Sequence, residues 1–296
     1  MRLVTFITDH ADRLGLQNAD GSVTDLNAAG FDAAHSMLDL LDGGPAVLDR
    51  LKSWLAATTI DPGHIVAQGG VRLAAPIPHM RQNLLCVGRN YKLHIEESAR
   101  AKGIPVAFPT VPELFSKPVT AIIGHGAGIN RYAALTQKLD YEVELAIVIG
   151  QTIRDATPEQ AEQAIFGYTI VNDISARDMQ MAHNQWFKGK ALDTFCPVGP
   201  CIVTKDAFGD PAGHRITLRV NGETRQDSTT SDLLFDVPTI VSILSAGQTL
   251  RPGDIIATGT PSGVAFGMPV PAYLEVGDVI EAEIEGIGIL RNPVIT

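Results

Sequence analysis

The chain has 296 residues and a net charge of −10, with 45% hydrophobic and 19% charged residues. That length allows one large domain or two, and the apolar share supplies a core, so intrinsic disorder is excluded. The acidic balance, with no basic run to offset it, argues against nucleic acid and anionic membrane as partners.

Residues 1–75 read as a small α+β N-terminal domain. Short strands are expected at 3–7, 13–17 and 22–26, with Ala19-Asp20-Gly21 as a turn. The apolar start of the chain is broken at once by Asp9, His10, Asp12 and Arg13, which does not fit a signal peptide. A helix is expected over 45–57, where Val47, Leu48, Leu51, Trp54 and Leu55 recur at helical spacing. Pro76 and Pro78 force an extended passage, and the domain boundary is placed there.

Residues 76–296 form the second domain. Strands are expected at 84–87, 121–123, 141–149, 166–171, 202–203, 216–220, 254–258 and 279–284. Helices are expected at 91–102, closed by Gly103, at 157–165, opened by Thr157 and Pro158, and at 237–246. Many strands and few helices predict a β-rich α+β fold, not a doubly wound sheet. The stretch through Pro105, Pro109, Pro112 and Pro118 reads as a mobile flank of the 91–102 helix, which would act as a lid. No apolar stretch reaches the ~18 residues of a spanning helix. Cys86, Cys196 and Cys201 are too few for a disulfide framework and predict a reduced, cytoplasmic setting, with Cys196 and Cys201 as buried fillers. Gly124 to Gly128 lacks the dinucleotide-binding spacing and reads as a turn, as does Asn221-Gly222.

Two segments carry chemistry. Alternation through Asp140-Tyr141-Glu142-Val143-Glu144 puts the three carboxylates on one face, ahead of the apolar run Leu145 to Ile149. The row is either the solvated face of an edge strand or a sheltered cation site. Asn172-Asp173 ends another strand, where Asp173 is either a helix cap or a further ligand. All-oxygen ligands would select Mg²⁺ or Mn²⁺, with Ca²⁺ also admissible. Removing Glu142 should then relieve repulsion among like charges. His94 and Glu97 are i,i+3 neighbours on the 91–102 helix, either a surface ion pair or an imidazole oriented by a carboxylate for proton transfer.

Taken together, Gly88-Arg89-Asn90-Tyr91-x-x-His94-x-x-Glu97, Phe115-Ser116-Lys117-Pro118, Asp140-x-Glu142-x-Glu144, Asn172-Asp173-Ile174-Ser175-Ala176-Arg177-Asp178, Gly189-Lys190 and Thr258-Gly259-Thr260-Pro261 resemble the fumarylacetoacetate hydrolase superfamily. The resemblance covers roughly residues 80–296. It implies a mixed β-sandwich or β-roll catalytic domain, a homodimer and a divalent metal. It implies Glu142, Glu144 and Asp173 as metal ligands, and His94, Glu97 and Lys190 as catalytic. Arg89, Tyr91, Lys117, Arg177, Gln180 and Thr260 are implied to face substrate. The acid that some members carry just before the histidine is missing from Cys86 to Tyr91, which favours the acylpyruvase and 2-hydroxyhepta-2,4-diene-1,7-dioate isomerase-like branches. The expected activity is metal-dependent hydrolysis of a C–C bond in a 2,4-dioxo acid such as an acylpyruvate, by water activated at His94. The alternatives are decarboxylation or keto–enol isomerisation of an oxaloacetate-like 2-oxo acid, and a dimeric binding protein without activity.

Overall fold

The computed structural model describes residues 1–8 and 11–296; Asp9 and His10, which interrupt the apolar start of the chain, lie outside the described residues. The larger sheet begins with a meander of β1 (Arg2–Ile7), β2 (Asp12–Gln17), β3 (Val23–Asp25) and β4 (Ile65–Val66). Between β3 and β4 lie α1 (Met37–Asp42) and α2 (Gly44–Ala57). The sheet continues through β5 (Leu84–Gly88) and, after α3 (Lys92–Lys102), β6 (Glu113–Lys117), with the short strands β7 (Ile122–Ile123), β8 (Ile129–Asn130) and β9 (Leu139–Asp140) following. Next come β10 (Val143–Ile149), α4 (Pro158–Gln163), β11 (Ile165–Asn172), β12 (Ser175–Ala176), α5 (Arg177–Ala182), α6 (Phe187–Lys190) and β13 (Cys196–Thr204). The chain ends with α7 (Lys205–Phe208), β14 (Arg215–Val220), β15 (Glu223–Thr229), α8 (Val237–Ser245), β16 (Ile255–Ala257), β17 (Val279–Ile284) and β18 (Gly288–Ile295).

The spatial order in the larger sheet is β4-β3-β2-β1-β13-β11-β10-β16-β5-β6, with β7 added alongside β13. A second sheet runs β15-β14-β17-β18-β8, and β12 pairs with β9. The fold is strand-rich α+β, and the sheets do not close into a barrel. Antiparallel β1 pairs with β13, Leu3 opposite Ile202, so residues 1–75 extend the sheet of residues 76–296.

Two apolar layers hold this arrangement. One face of the larger sheet packs Leu145, Ile147 and Ile170 toward Ile216, Leu218 and Ile284 of the second sheet. The other face packs Ala146, Val148 and Val171 with Met37, Leu40 and Leu51 of the α1–α2 pair. Strand β10 is buried along all seven residues, which its run of branched apolar side chains requires. Full burial of each such side chain contributes about 1.5–3 kcal/mol.

Several local signals operate as expected. Gly103 ends α3 at φ 64°, a left-handed conformation that glycine adopts at low cost. Thr157 and Gln160 form a reciprocal capping box at the start of α4, and Asp236 caps α8. Three differences have physical causes. Helix α1 starts from a Ser36–Asp39 capping box, a signal present in the sequence but too short to stand out against the glycines at 43 and 44. Strand β6 forms although Pro109, Pro112 and Pro118 surround it, because its five residues all pair with β5. Strand β13 is far longer than expected despite Pro197 and Pro200; its pairing with β11 skips register between Tyr168 and Ile170, beside Pro200, where a missing N–H is tolerated.

Candidate active site

The site lies where β10, β11 and the loop after β16 meet. Val143 sits opposite Asn172 and Glu144 opposite Val171, so the residues preceding β10 run beside the end of β11. Asn172 fixes that junction: its Oδ1 accepts from the Glu142 N–H at 3.0 Å, and the Asp173 N–H donates to the Glu142 carbonyl at 2.8 Å. Glu142, Glu144 and Asp173 are thereby gathered so that one oxygen of each lies within 4.8 Å of the others, all three residues buried. Asp173 is not a helix cap; Ala176 occupies the cap of α5.

The third acid of the alternating row behaves differently. Asp140 is fully buried, accepts from the N–H groups of Tyr141, Ala265 and Phe266, and pairs with Arg177 Nε at 2.8 Å. It belongs to the support of the site and not to the carboxylate triad.

Three buried cations face these acids. Lys190 Nζ lies 2.7 Å from Glu142 and 2.5 Å from Asp173. Lys117 Nζ lies 2.5 Å from the other oxygen of Asp173 and also donates to the Ile174 carbonyl. Arg177 Nη2 reaches Glu142 at 2.6 Å, and its Nη1 donates to Gln180 at 3.1 Å. Among the described residues Glu144 receives only the Gly259 N–H, at 2.8 Å. Burial opposes ionisation of Glu142, yet Arg177 and Lys190 hold its carboxyl down at about 2. Burial, reinforced by the carboxylates of Asp173 and Glu142, pushes Glu144 well above the usual range. Burial tends to lower Lys190, but Asp173 and Glu142 raise it to about 12, so it stays an ammonium. Glu142 is therefore bound to two cations, and the repulsion expected of it is carried by Glu144 instead.

The four carboxylates of this cluster, Asp140, Glu142, Glu144 and Asp173, face three buried cations, which leaves Glu144 as the acid without a cation, its ionisation opposed until a positive charge is supplied. An ion with ligand distances of ~2.0–2.6 Å holds its oxygens ~3–5 Å apart, which matches the spacing of the triad. The charge deficit and the all-oxygen donors both fit a divalent cation held by Glu142, Glu144 and Asp173.

Glu142 and Glu144 of the triad line a cavity of about 360 Å³, whose walls also include His94, Lys190, Arg89, Arg177, Gln180 and Thr260; Asp173 is not among the lining residues. His94 and Glu97 are both buried on α3; His94 Nδ1 lies 3.3 Å from Glu97 Oε2, and Glu97 accepts from the Gly263 N–H at 3.0 Å. Gly267 lies so close that a Cβ there would come within 2.2 Å of Glu97. Tyr91 and Lys117 are not among the lining residues. Tyr91 is buried with its hydroxyl unpartnered among the described residues, and Lys117 is committed to Asp173. Thr260 lines the cavity while its hydroxyl donates to the Val143 carbonyl and accepts from Gln226.

Residues that the sequence reading passed over also line the cavity: Ser98 and Lys102 of α3, Phe115, Trp186 and Phe266. Ser98 and Lys102 follow His94 at i+4 and i+8, a helical stripe visible in the sequence. A larger cleft of about 970 Å³ between α2, α4, α7 and α8 contains none of the expected site residues.

Fold and site together define a small-molecule enzyme with a carboxylate cation site under a cationic pocket. Residues 83–295 match the family described as fumarylacetoacetate (FAA) hydrolase, C-terminal, and the chain belongs to that family. It is 45% identical over 224 residues to oxaloacetate tautomerase YisK of Bacillus subtilis, covering 76% of this chain and 73% of that one. It is 38% identical over 300 residues to the mitochondrial oxaloacetate tautomerase fahd2 of Xenopus laevis, covering 100% and 90%. Its structure is similar to maleylpyruvate hydrolase from Sphingobium sp. SYK-6 in complex with manganese(II) and pyruvate, with a TM-score of 0.77, 31% identity, and coverage of 100% and 99%. The two tautomerase relatives support keto–enol isomerisation, the alternative drawn from the sequence, better than C–C hydrolysis.

Proposed function

We propose that this chain is a divalent-metal-dependent keto–enol tautomerase of an oxaloacetate-like 2-oxo acid, using Mg²⁺ or Mn²⁺ at Glu142, Glu144 and Asp173. The observation that carries the reading is the buried triad, two of whose members, Glu142 and Glu144, line one small cavity with His94, in a chain whose tautomerase relatives reach 38–45% identity. The bound cation supplies a Lewis acid for the carboxylate and 2-oxo oxygens of the substrate.

The protein's own groups do the rest. His94 Nδ1 is engaged by Glu97, which sets the ring orientation and leaves Nε2 to face the cavity. Nε2 takes the C3 proton, the C–H electron pair becomes the C2=C3 bond, and a proton returns to the 2-oxo oxygen to give the enol. Lys190 keeps its proton and stands as a fixed positive charge beside the oxygen on which negative charge develops. Arg177, held from behind by Asp140, orients Glu142 and presents its edge to the acid.

Hydrolysis of a 2,4-dioxo acid is a second reading, favoured by the same His94–Glu97 pair and by the likeness to a maleylpyruvate hydrolase. Stopped-flow decay of the enol absorbance of oxaloacetate, with and without Mn²⁺, tests the first; pyruvate release from acylpyruvates tests the second. Enol decay no faster with enzyme and Mn²⁺ than with Mn²⁺ alone would refute tautomerisation. A cytoplasmic homodimer is part of the proposal, supported by three buried reduced thiols and by the exposed apolar residues Val106, Phe108 and Val111. Light scattering tests the dimer. No helix among the described residues is long and apolar enough to cross a membrane.

A further inference from the structure

Four cations line the active-site cavity: Arg89, Lys102, Arg177 and Lys190. Three are already matched. Arg89 pairs with Glu113 at 2.6 Å, Arg177 with Asp140 and Glu142, and Lys190 with Glu142 and Asp173. Lys102 has neither an ion pair nor a hydrogen bond among the described residues. It is the last residue of α3, on the stripe His94-Ser98-Lys102, and side chains on a helix lean toward its N-terminus. It therefore shares one wall of the cavity with His94 and Ser98.

The electrostatic setting sharpens this. Lys102 is an exposed residue whose ammonium is partly desolvated where it lines the cavity; that desolvation first, and then the guanidiniums of Arg89 and Arg177, push it toward losing its proton, while Glu113, already bound to Arg89, opposes them weakly. An unpaired ammonium that lines the same cavity as two guanidiniums makes that wall a site for an anion. Arg177 touches Glu142 on one side and lies within electrostatic reach of Lys102 on the other. An acid whose 2-oxo carboxylate end sits over the triad thus extends its far end toward Lys102.

We propose that Lys102 is a specificity residue that binds the distal carboxylate of a 2-oxo dicarboxylate, so that this site selects dicarboxylic over monocarboxylic 2-oxo acids. The inference rests on a 2-oxo acid as substrate but not on which reaction follows. The probes are 2-oxoglutarate and 2-oxopentanoate, equal in chain length and different only at the distal group. Calorimetric titration of the full chain with each, in Mn²⁺, should give wild type about a tenfold preference for 2-oxoglutarate, the size of one charge-assisted contact. Lys102→Met should abolish that preference while leaving 2-oxopentanoate affinity within twofold, and Lys102→Arg should keep it. A preference that survives in Lys102→Met, or none in wild type, overturns the inference. If oxaloacetate is not tautomerised but the Lys102-dependent preference stands, the proposed reaction falls and the specificity assignment holds.

Discussion

Glu142 and Glu144 lie two residues apart in one triad, and their environments predict opposite effects of the same substitution. Glu142→Gln strips a carboxylate from Arg177 and Lys190, at 2.6 and 2.7 Å, and leaves buried cations short of a partner. Breaking a buried pair from one side costs about 3–5 kcal/mol. At ~2.1 cal/mol/K per residue, a chain of 296 residues unfolds with an entropy of ~0.6 kcal/mol/K, so Tm should fall by ~5–8 °C. Glu144→Gln removes instead the one acid that has no cation partner, and the amide oxygen can still accept from Gly259, so the metal-free Tm should hold or rise. Saturating wild type with Mn²⁺ at 100 times Kd should add ~2.7 kcal/mol, or ~4 °C, and both variants should lose that increment. Scanning calorimetry of the three proteins with EDTA and with Mn²⁺ reads all of these values. A Glu144→Gln protein that keeps the full Mn²⁺ shift, or one destabilised as much as Glu142→Gln, would refute the charge accounting.

His94→Ala and Glu97→Gln should each slow oxaloacetate tautomerisation by ~10²–10⁴-fold, with the double variant little worse than the worse single, because the pair acts as a unit. Mn²⁺ affinity by calorimetry should stay within a few-fold in both, and a large loss would place them among the ligands. Gly267→Ala should push Glu97 off its bond to Gly263 and lower kcat with little change in metal affinity or Tm; unaltered kcat would separate Glu97 from the reaction. Asp206 is depressed to about 2 by its hydrogen bond to Lys52, then by Thr204. A depressed carboxylate contributes stability that is complete above its unfolded value and lost as pH falls toward its folded one, so Asp206→Asn should flatten the acid limb of Tm between about pH 4 and pH 2.

The parts of the site legible in the sequence were those carried by local periodicity. Glu142 and Glu144 announced themselves because they alternate into a strand whose remaining residues are apolar, and His94 and Glu97 because residues three apart on a helix share a face. Alternation overreached at Asp140: the chain leaves regular strand at Tyr141 and Glu142, so the row is broken before it reaches that acid. Lys117 could not be placed, since its strand is surrounded by prolines and owes its existence to pairing with β5. The matching of Glu142 with Lys190 and Arg177 spans sequence separations that no local pattern encodes. Lys102 was readable as the third member of the His94 stripe, but a lysine at a helix C-terminus is ordinary, and only its place on the cavity wall without a partner among the described residues marks it out.

The segment from Gly259 to Phe266 grips three acids from three different elements by main-chain amides alone: Gly259 holds Glu144, Gly263 holds Glu97, and Ala265 and Phe266 hold Asp140. Such a grip ignores the identity of most side chains along it, and only proline, or a Cβ at Gly259 or Gly263, would break it. Phe266 meanwhile presents its ring to the cavity, over Arg177. The position that lines the cavity is thus uncoupled from the bonds that hold the buried acids of the site. Descendants of this chain can exchange the ring at 266 for another shape and try new acids without dismantling the chemistry beneath, which makes this loop a place where substrate range can drift while the reaction is inherited intact.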